Sequence, residues 1–298
     1  MAIISVLNKY SGFYSMFFFF VNHYIYSIKN NKNFKIHNDN WLFKSELGWE
    51  DYFENIDITN KTSSTIIFGH FNQTLCEYPI REYKEVLRNI YIYNKNTMKL
   101  IEDKKIKLNL KNNTYDSIFI RRGDKLIAES DYISAENYLI YLLELNPQCK
   151  NIYLQTDDYN CFMELNDYIN KHSLDINLVT ACEKNCKGMI IFSQHKNSIL
   201  NNNFKKKNNI DYLKKNMDSL SPFKPVDKMN SKEIYSHTLE MLIGIDIVLN
   251  SNIVVTDYSS NVSRFIKLKH SNSDNVYDVI SKSNNIDYNK MICPSRGF

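Results

Sequence analysis

At 298 residues the chain has room for two ordinary domains, and a hydrophobic content of 43% with 13% aromatics supplies a core for each, which excludes a disordered or fibrous protein. Thirty-seven Lys and Arg stand against 33 Asp and Glu, and a formal charge of +4 is too mild to argue for a nucleic-acid partner.

In chain order, an apolar strand Ile3–Leu7 leads through NKYSG into a helix over Phe13–Ile28, and NFKIH reads as a second strand, making one βαβ unit. The run Met16–Val21 is broken by Asn22 and His23, far short of the roughly 20 apolar residues of a membrane span. It has no basic flank or small-residue cleavage site, so the expectation is a buried helix in a soluble, cytoplasmic protein. After GWEDYF, STIIFGH reads as a strand and Glu82 to about Lys107 as one long amphipathic stretch. The alternation then sharpens: strand SIFI, helix AENYLIYLLEL, strand NIYLQ, helix CFMELNDYINKH, strand INLVT. An Asn- and Lys-rich insertion at about 181–230 follows, then helix SKEIYSHTLEMLIGIDIVL, strand NIVVT and a helix from Asn261. Strands alternating with helices predict an α/β fold of two Rossmann-like domains with parallel sheets. The seam is placed near residue 110, giving an N-terminal domain over 1–110 and a second over 111–298.

Six cysteines are scattered, and only Cys182 and Cys186 are close; with His195 they lack a fourth ligand at zinc spacing and read as reduced thiols.

Ligands of parallel sheets bind beyond the carboxyl ends of the strands. Three such ends carry charge or hydroxyls: RRGDK after SIFI, TDD after NIYLQ and TDYSSN after NIVV. The paired forks of Arg121 and Arg122 match phosphate oxygens, and Gly123 allows a close backbone. Alternation sends the two arginines to opposite sides, so one meets the ligand and the other pairs internally, with Asp124 or Asp157 as partner. Ser259 and Ser260 precede a helix, a natural anion site. Asp157 and Asp158 diverge if the strand continues, which argues against a metal. The RGD tripeptide at 122–124 emerges straight from an apolar strand, whereas adhesive motifs project from exposed loops.

These residues resemble the α1,6-fucosyltransferases, both the core N-glycan and the rhizobial chitooligosaccharide enzymes, and more distantly the α1,2- and protein O-fucosyltransferases. The family pattern His-x-Arg-Arg-x-Asp-Lys, a glutamate four residues on and a tyrosine nine further, is met by Arg121, Arg122, Asp124, Lys125, Glu129 and Tyr138, with Phe119 in place of the histidine. YLQTDD matches the Thr-Asp-Asp motif, and DYSSNVSR matches Ser-Ser-x-Val-x-Arg through Ser260, Val262 and Arg264. SGFYS, with Gly12 and Phe13, stands where the family has Gly-Gly-Phe-Gly, with Tyr14 replacing a glycine, and GWEDYF resembles its Gly-Trp-Glu segment.

The resemblance implies a GT-B-like, inverting, metal-independent transferase with GDP-fucose as donor, no cofactor, and a glycan as acceptor on the N-terminal domain. It makes Glu129 the base that takes the acceptor's proton, Arg121 before Arg122 the clamp on the departing diphosphate, Lys125 the group that polarises Glu129, and Tyr138, Asp124, Asp157, Asp158, Ser259 and Ser260 its donor-side partners. Linkage α1,6 is favoured over α1,2. The family's guanine-binding histidine and aspartate fall on Phe119 and Gly244, which leaves Phe119 to pack on the base, Asp246 or Glu240 to replace the carboxylate, and a different nucleotide sugar as the alternative donor. A non-catalytic glycan or nucleotide binder is the remaining rival, with no need of Glu129.

Overall fold

Five parallel strands in the order β6-β5-β4-β7-β8 form the larger sheet: β4 (Asp116–Ile120), β5 (Asn151–Thr156), β6 (Asn177–Thr180), β7 (Val254–Thr256) and β8 (Val276–Asp278). The computed structural model describes residues 2–57, 65–68, 78–128, 130–195 and 224–285. These fall into two compact units. One is built from residues up to Leu100 with Asn230–Glu240, the other from Ile101–Met229 with Met241–Asn285. Among the described residues no helix is long and apolar enough to cross a membrane.

In the first unit β1 (Ala2–Val6) pairs in parallel with both β2 (Asn33–His37) and β3 (Thr65–Phe68). The connecting helix α1 (Phe13–Lys29) buries residues nearly all round, as a Phe-rich helix must. Phe17 stacks on Trp49, and Trp49 on Phe53 at 4.2 Å, so the GWEDYF segment closes the aromatic core. Its Asp51 carboxylate accepts backbone N–H groups from Ser45, Glu46, Leu47 and Gly48, which fixes the preceding loop. The polar pair that interrupts the apolar run is satisfied inside: Tyr83 donates to Asn22, and His23 Nδ1 lies 2.7 Å from Ser5 Oγ.

Burial lowers the His23 pKa to about 4. The neutral ring is therefore the folded form, and stability present above pH 6.5 is lost as pH falls from there towards 4. With 1.36 kcal/mol per pH unit, the loss is expected to reach about 3 kcal/mol. Urea unfolding at pH 7.5 and 4.5 checks this; a difference unchanged in His23→Gln would show that another group is responsible.

The long amphipathic stretch of the sequence is two helices, α2 (Ile80–Ile90) and α3 (Lys95–Lys107). Tyr93 leaves the helix to bridge Phe53, and the Asn94 side chain then caps α3 by accepting the Thr97 N–H at 2.9 Å. In the second unit Ile118, Ile120, Ile152, Leu154 and Val255 pack against α5 (Ala135–Leu145) and α6 (Asn160–Lys171). Residues of the opposite parity meet α7 (Ser231–Leu249): the Tyr115 hydroxyl donates to Ile247 O, and Gln155 lies against Gly244. The helix after β7 is α8 (Asn261–Lys269), and a one-turn α4 (Lys125–Ala128) follows β4. Strand order reverses about β4, with β5 on one side and β7 on the other. The crevice beyond the ends of β4 and β7 is thus the switch point at which such sheets hold ligands.

Candidate functional site

The charge that leaves β4 divides between its two arginines. Arg122, 1% exposed, forms a two-pronged pair with Glu164 of α6 at 2.9 and 2.8 Å and lies over the Tyr132 ring at 4.9 Å. Glu164 also accepts the first N–H of α5, from Ala135, so Arg122 joins two helix starts to the strand end. This is structural work, with Glu164 rather than Asp124 or Asp157 as the internal partner. Burial opposes the Glu164 charge, but the Arg122 guanidinium holds its carboxyl below the usual range.

Arg121 takes the other side, pairing with Asp157 and, at 2.7 Å, with Asp124. Burial resists ionisation of Asp124, yet Arg121, His195, the Ile191 N–H and Lys125 together hold its carboxyl low. Asp157 also accepts the N–H groups of Arg122 at 2.7 Å and Met189 at 2.9 Å. Asp158 is buried, accepts the Asn160 N–H and stands 3.7 Å from Arg122. The two carboxylates of TDD therefore diverge, and both are engaged by protein groups rather than turned together towards a ligand. Among the described residues no group of three or more His, Cys, Asp or Glu side chains is arranged to hold a metal ion.

A strap from the start of the insertion crosses this strand end. Gly188 N bonds Asp157 O at 2.8 Å, Asp124 N bonds Met189 O at 3.0 Å, and Ile191 N bonds Asp124 Oδ2 at 3.0 Å. It passes so close that a Cβ on Gly123, whose φ is +64°, would lie 2.2 Å from Met189 O. The sequence marks 181–230 as an Asn- and Lys-rich insertion without giving it a role; its described opening, to His195, crosses the candidate site. Local sequence does not mark this, because most of the contacts are made by backbone groups.

At the end of β7 the Ser259 hydroxyl donates to Asp257 at 2.6 Å and its N–H does so at 2.8 Å, while the Ser130 hydroxyl lies 2.8 Å from Ser259 Oγ. With its one proton committed to Asp257, Ser259 receives the Ser130 proton and has none to give an anion. Ser260 differs: it caps α8, its Oγ accepting the Val262 N–H at 3.2 Å, and its own proton stays available beside the first N–H groups of the helix. Arg264 braces this turn through Tyr258 O and Asn261. Lys125 opens α4, and its charge favours ionised Asp124 and Asp257. Tyr138 is buried and stays a neutral phenol, its pKa driven well up by burial and by the charge on Asp257. Glu129 lies outside the described residues.

On the α7 face Phe119 is 5% exposed and stands in register with Gln155. A Cβ at Gly244 would fall 1.9 Å from Gln155 Oε1, so the Gln155 amide occupies the room that a side chain at 244 would need. Gln155 Oε1 accepts the Tyr153 hydroxyl at 2.6 Å. Sequence reading missed Gln155, although it stands on β5 two residues before Asp157. Asp246 pairs with Lys105 at 2.9 Å and with Asn250 at 3.0 Å. In the other unit Gly12 precedes α1, and Phe13 is buried, 5.3 Å from the Trp41 ring.

No family model and no curated protein matches the chain. Solved structures do. The NodZ α-1,6-fucosyltransferase soaked with GDP-fucose aligns over 90% of this chain and 92% of its own, with a TM-score of 0.53 at 9% identity. The chain is similar in fold to NodZ. The selenomethionine form of NodZ from Bradyrhizobium gives 0.52 at 9% identity, and NodZ co-crystallised with GDP gives 0.53 at 8%, both over the same shares of the two chains. At such identity the likeness to NodZ concerns the course of the chain, and the chemistry rests on the residues of this one.

Proposed function

We propose that the protein is an inverting, metal-independent glycosyltransferase of GT-B arrangement that moves fucose from GDP-fucose to a glycan hydroxyl, in α1,6 linkage. One observation carries the reading: at the switch point between β4 and β7, on a fold shared with a GDP-fucose-soaked fucosyltransferase, Arg121 and Lys125 lie on the turn after β4, and the Ser260-capped start of α8 follows β7. The donor lies with the second unit. Its diphosphate is received by the Ser260 hydroxyl and the first N–H groups of α8, and Arg121 turns part of its fork from Asp157 to the leaving oxygen as the sugar bond breaks. Glu129 takes the proton of the attacking hydroxyl, and Lys125 supports its ionised form. Cationic and N–H donors do the work a metal does elsewhere.

Phe119 and Gln155 receive the base. With its Oε1 held by Tyr153, Gln155 offers an N–H donor, where an aspartate would offer only acceptors. That exchange favours a base edge that presents an acceptor, and it motivates the second reading, a different nucleotide sugar on the same scaffold. The acceptor lies with the first unit, where a polar cavity of about 370 Å3 opens at the carboxyl end of β2, lined among others by Lys35, His37, Asp39, Trp49, Glu50 and Asp57.

Calorimetry of GDP, UDP and ADP in chelator and in manganese tests the reading. GDP-selective, chelator-resistant binding is expected, together with fucose transfer by the wild type and loss of it in Glu129→Gln. Selectivity for another nucleotide would shift the assignment to the second reading; binding only with manganese would overturn metal independence. Transfer by Glu129→Gln equal to wild type would remove Glu129 as the base.

A further inference from the structure

We propose that Asp257 is a positioning residue: through Ser259 and Ser130 it ties the turn after β4 to the start of α8, holding Lys125 in register with the anion-binding end of that helix. The claim that this register serves donor chemistry rests on the function proposed above.

The two turns come from different strands, and side-chain oxygens form a continuous path between them. Asp257 receives both the N–H and the hydroxyl of Ser259, a two-point grip that leaves the Ser259 hydroxyl as an acceptor towards Ser130. Ser130 is in turn fixed at its own backbone, where its N–H closes the α4 turn on Lys125 O at 3.0 Å. A displacement of Ser130 therefore moves Lys125, and the hydroxyl bridge resists it. Asp257 sits directly after β7, whose register with β4 is set by parallel pairing at Ser117–Val254 and Ile118–Val255, so the anchor is as rigid as the sheet. At the other end Ser260 follows Ser259 in the chain and caps α8. Moving Ser259 would move the cap.

The charged surroundings suit a fixed carboxylate. Burial pushes the Asp257 pKa up, the two Ser259 bonds and Lys125 pull it back, and Asp278 of β8 adds a like charge. Tyr138 of α5 senses the same charge. An Asp257 that merely capped its own turn would need Ser259 and not Ser130; the second hydroxyl, 129 positions away in sequence, is what makes it a tie.

Hydrogen exchange on the GDP-free protein tests the tie, in Asp257→Ala, Ser130→Ala and the double variant. Amides across residues 125–130 are expected to exchange at least about tenfold faster in both single variants, with β5 amides unchanged and the double variant no faster than either single. Kinetics with GDP-fucose then tests its use: kcat is expected to fall about tenfold or more in both single variants, with GDP affinity within about twofold of wild type in Ser130→Ala and lowered in Asp257→Ala, and Ser130→Thr is expected to keep most of the wild-type kcat. Unchanged exchange across 125–130 overturns the tie, as do effects that multiply in the double variant. If Asp257→Ala does not fold, Ser130→Ala alone decides. If the wild type transfers no fucose, the exchange result still stands or falls by itself and only the proposed function is lost.

Discussion

Arg121→Ala is expected to lower fucose transfer by about a hundredfold or more, the usual effect of removing one donor from a developing anion. The same change should lower stability by about 3 kcal/mol, because it strips the guanidinium from Asp124 and Asp157, whose side chains are largely buried. The two effects separate experimentally. Turnover is measured in conditions where circular dichroism shows the variant folded, and stability is measured by urea unfolding without nucleotide. Arg121→Ala/Asp157→Asn should regain part of the stability, since a neutral amide no longer needs a counter-charge, and should regain none of the turnover. Arg121→Lys keeps the charge but not the planar fork, so it is expected to fall between alanine and wild type. Turnover near wild type in Arg121→Ala would leave Arg121 a purely structural residue, and the catalytic cation would have to be Lys125.

Arg122 is the contrasting case, and it shows which parts of the site were legible in the sequence. That two adjacent arginines point to opposite sides follows from strand alternation, but both pair within the protein, and it is Arg121 that takes the expected partners Asp124 and Asp157. The Arg122 partner Glu164 was not legible: it lies 42 positions away on α6, and nothing local marks it. Parallel strands and their helices were readable because β4 and β5 are short apolar runs punctuated by turn residues. The break between α2 and α3 was hidden because Tyr91 and Tyr93 fit an amphipathic pattern as well as they fit the aromatic core they actually join. Strand order is invisible to composition, and it is the order β5-β4-β7 that puts the RRGDK and DYSS turns on either side of one crevice. The family likeness located Gly244 as a departure; only packing shows that Gln155 fills the space. The pairing of Asp246 with Lys105 was not legible either, because the two lie 141 positions apart and only the fold brings them together.

Gly123 is the position where the smallest substitution is expected to do the largest structural damage. Its φ of +64° costs an alanine about 1 kcal/mol, but the contact matters more. The added carbon would sit 2.2 Å from Met189 O, 2.6 Å from Met189 N and 2.9 Å from Gly188 C, all backbone atoms. The strap can withdraw only by giving up its bonds to Asp157 and Asp124, and Asp157 is the carboxylate that also aims Arg121. Gly123→Ala is therefore expected to cost more than about 3 kcal/mol, at the upper end of single substitutions, and to expose the peptide bond after Lys187 to trypsin. Gly244→Ala provides the control. Its new carbon meets Gln155 Oε1 at 1.9 Å, a shorter contact but with the end of a side chain that has torsions to turn, so its cost is expected to be less than half as large. Urea unfolding of both variants, with trypsin cleavage followed by mass spectrometry, decides between the two kinds of contact. Equal losses at Gly123 and Gly244, or a Gly123→Ala protein as stable and as trypsin-resistant as wild type, would mean that the strap does not lock the strand end and that Arg121 is aimed by Asp124 alone.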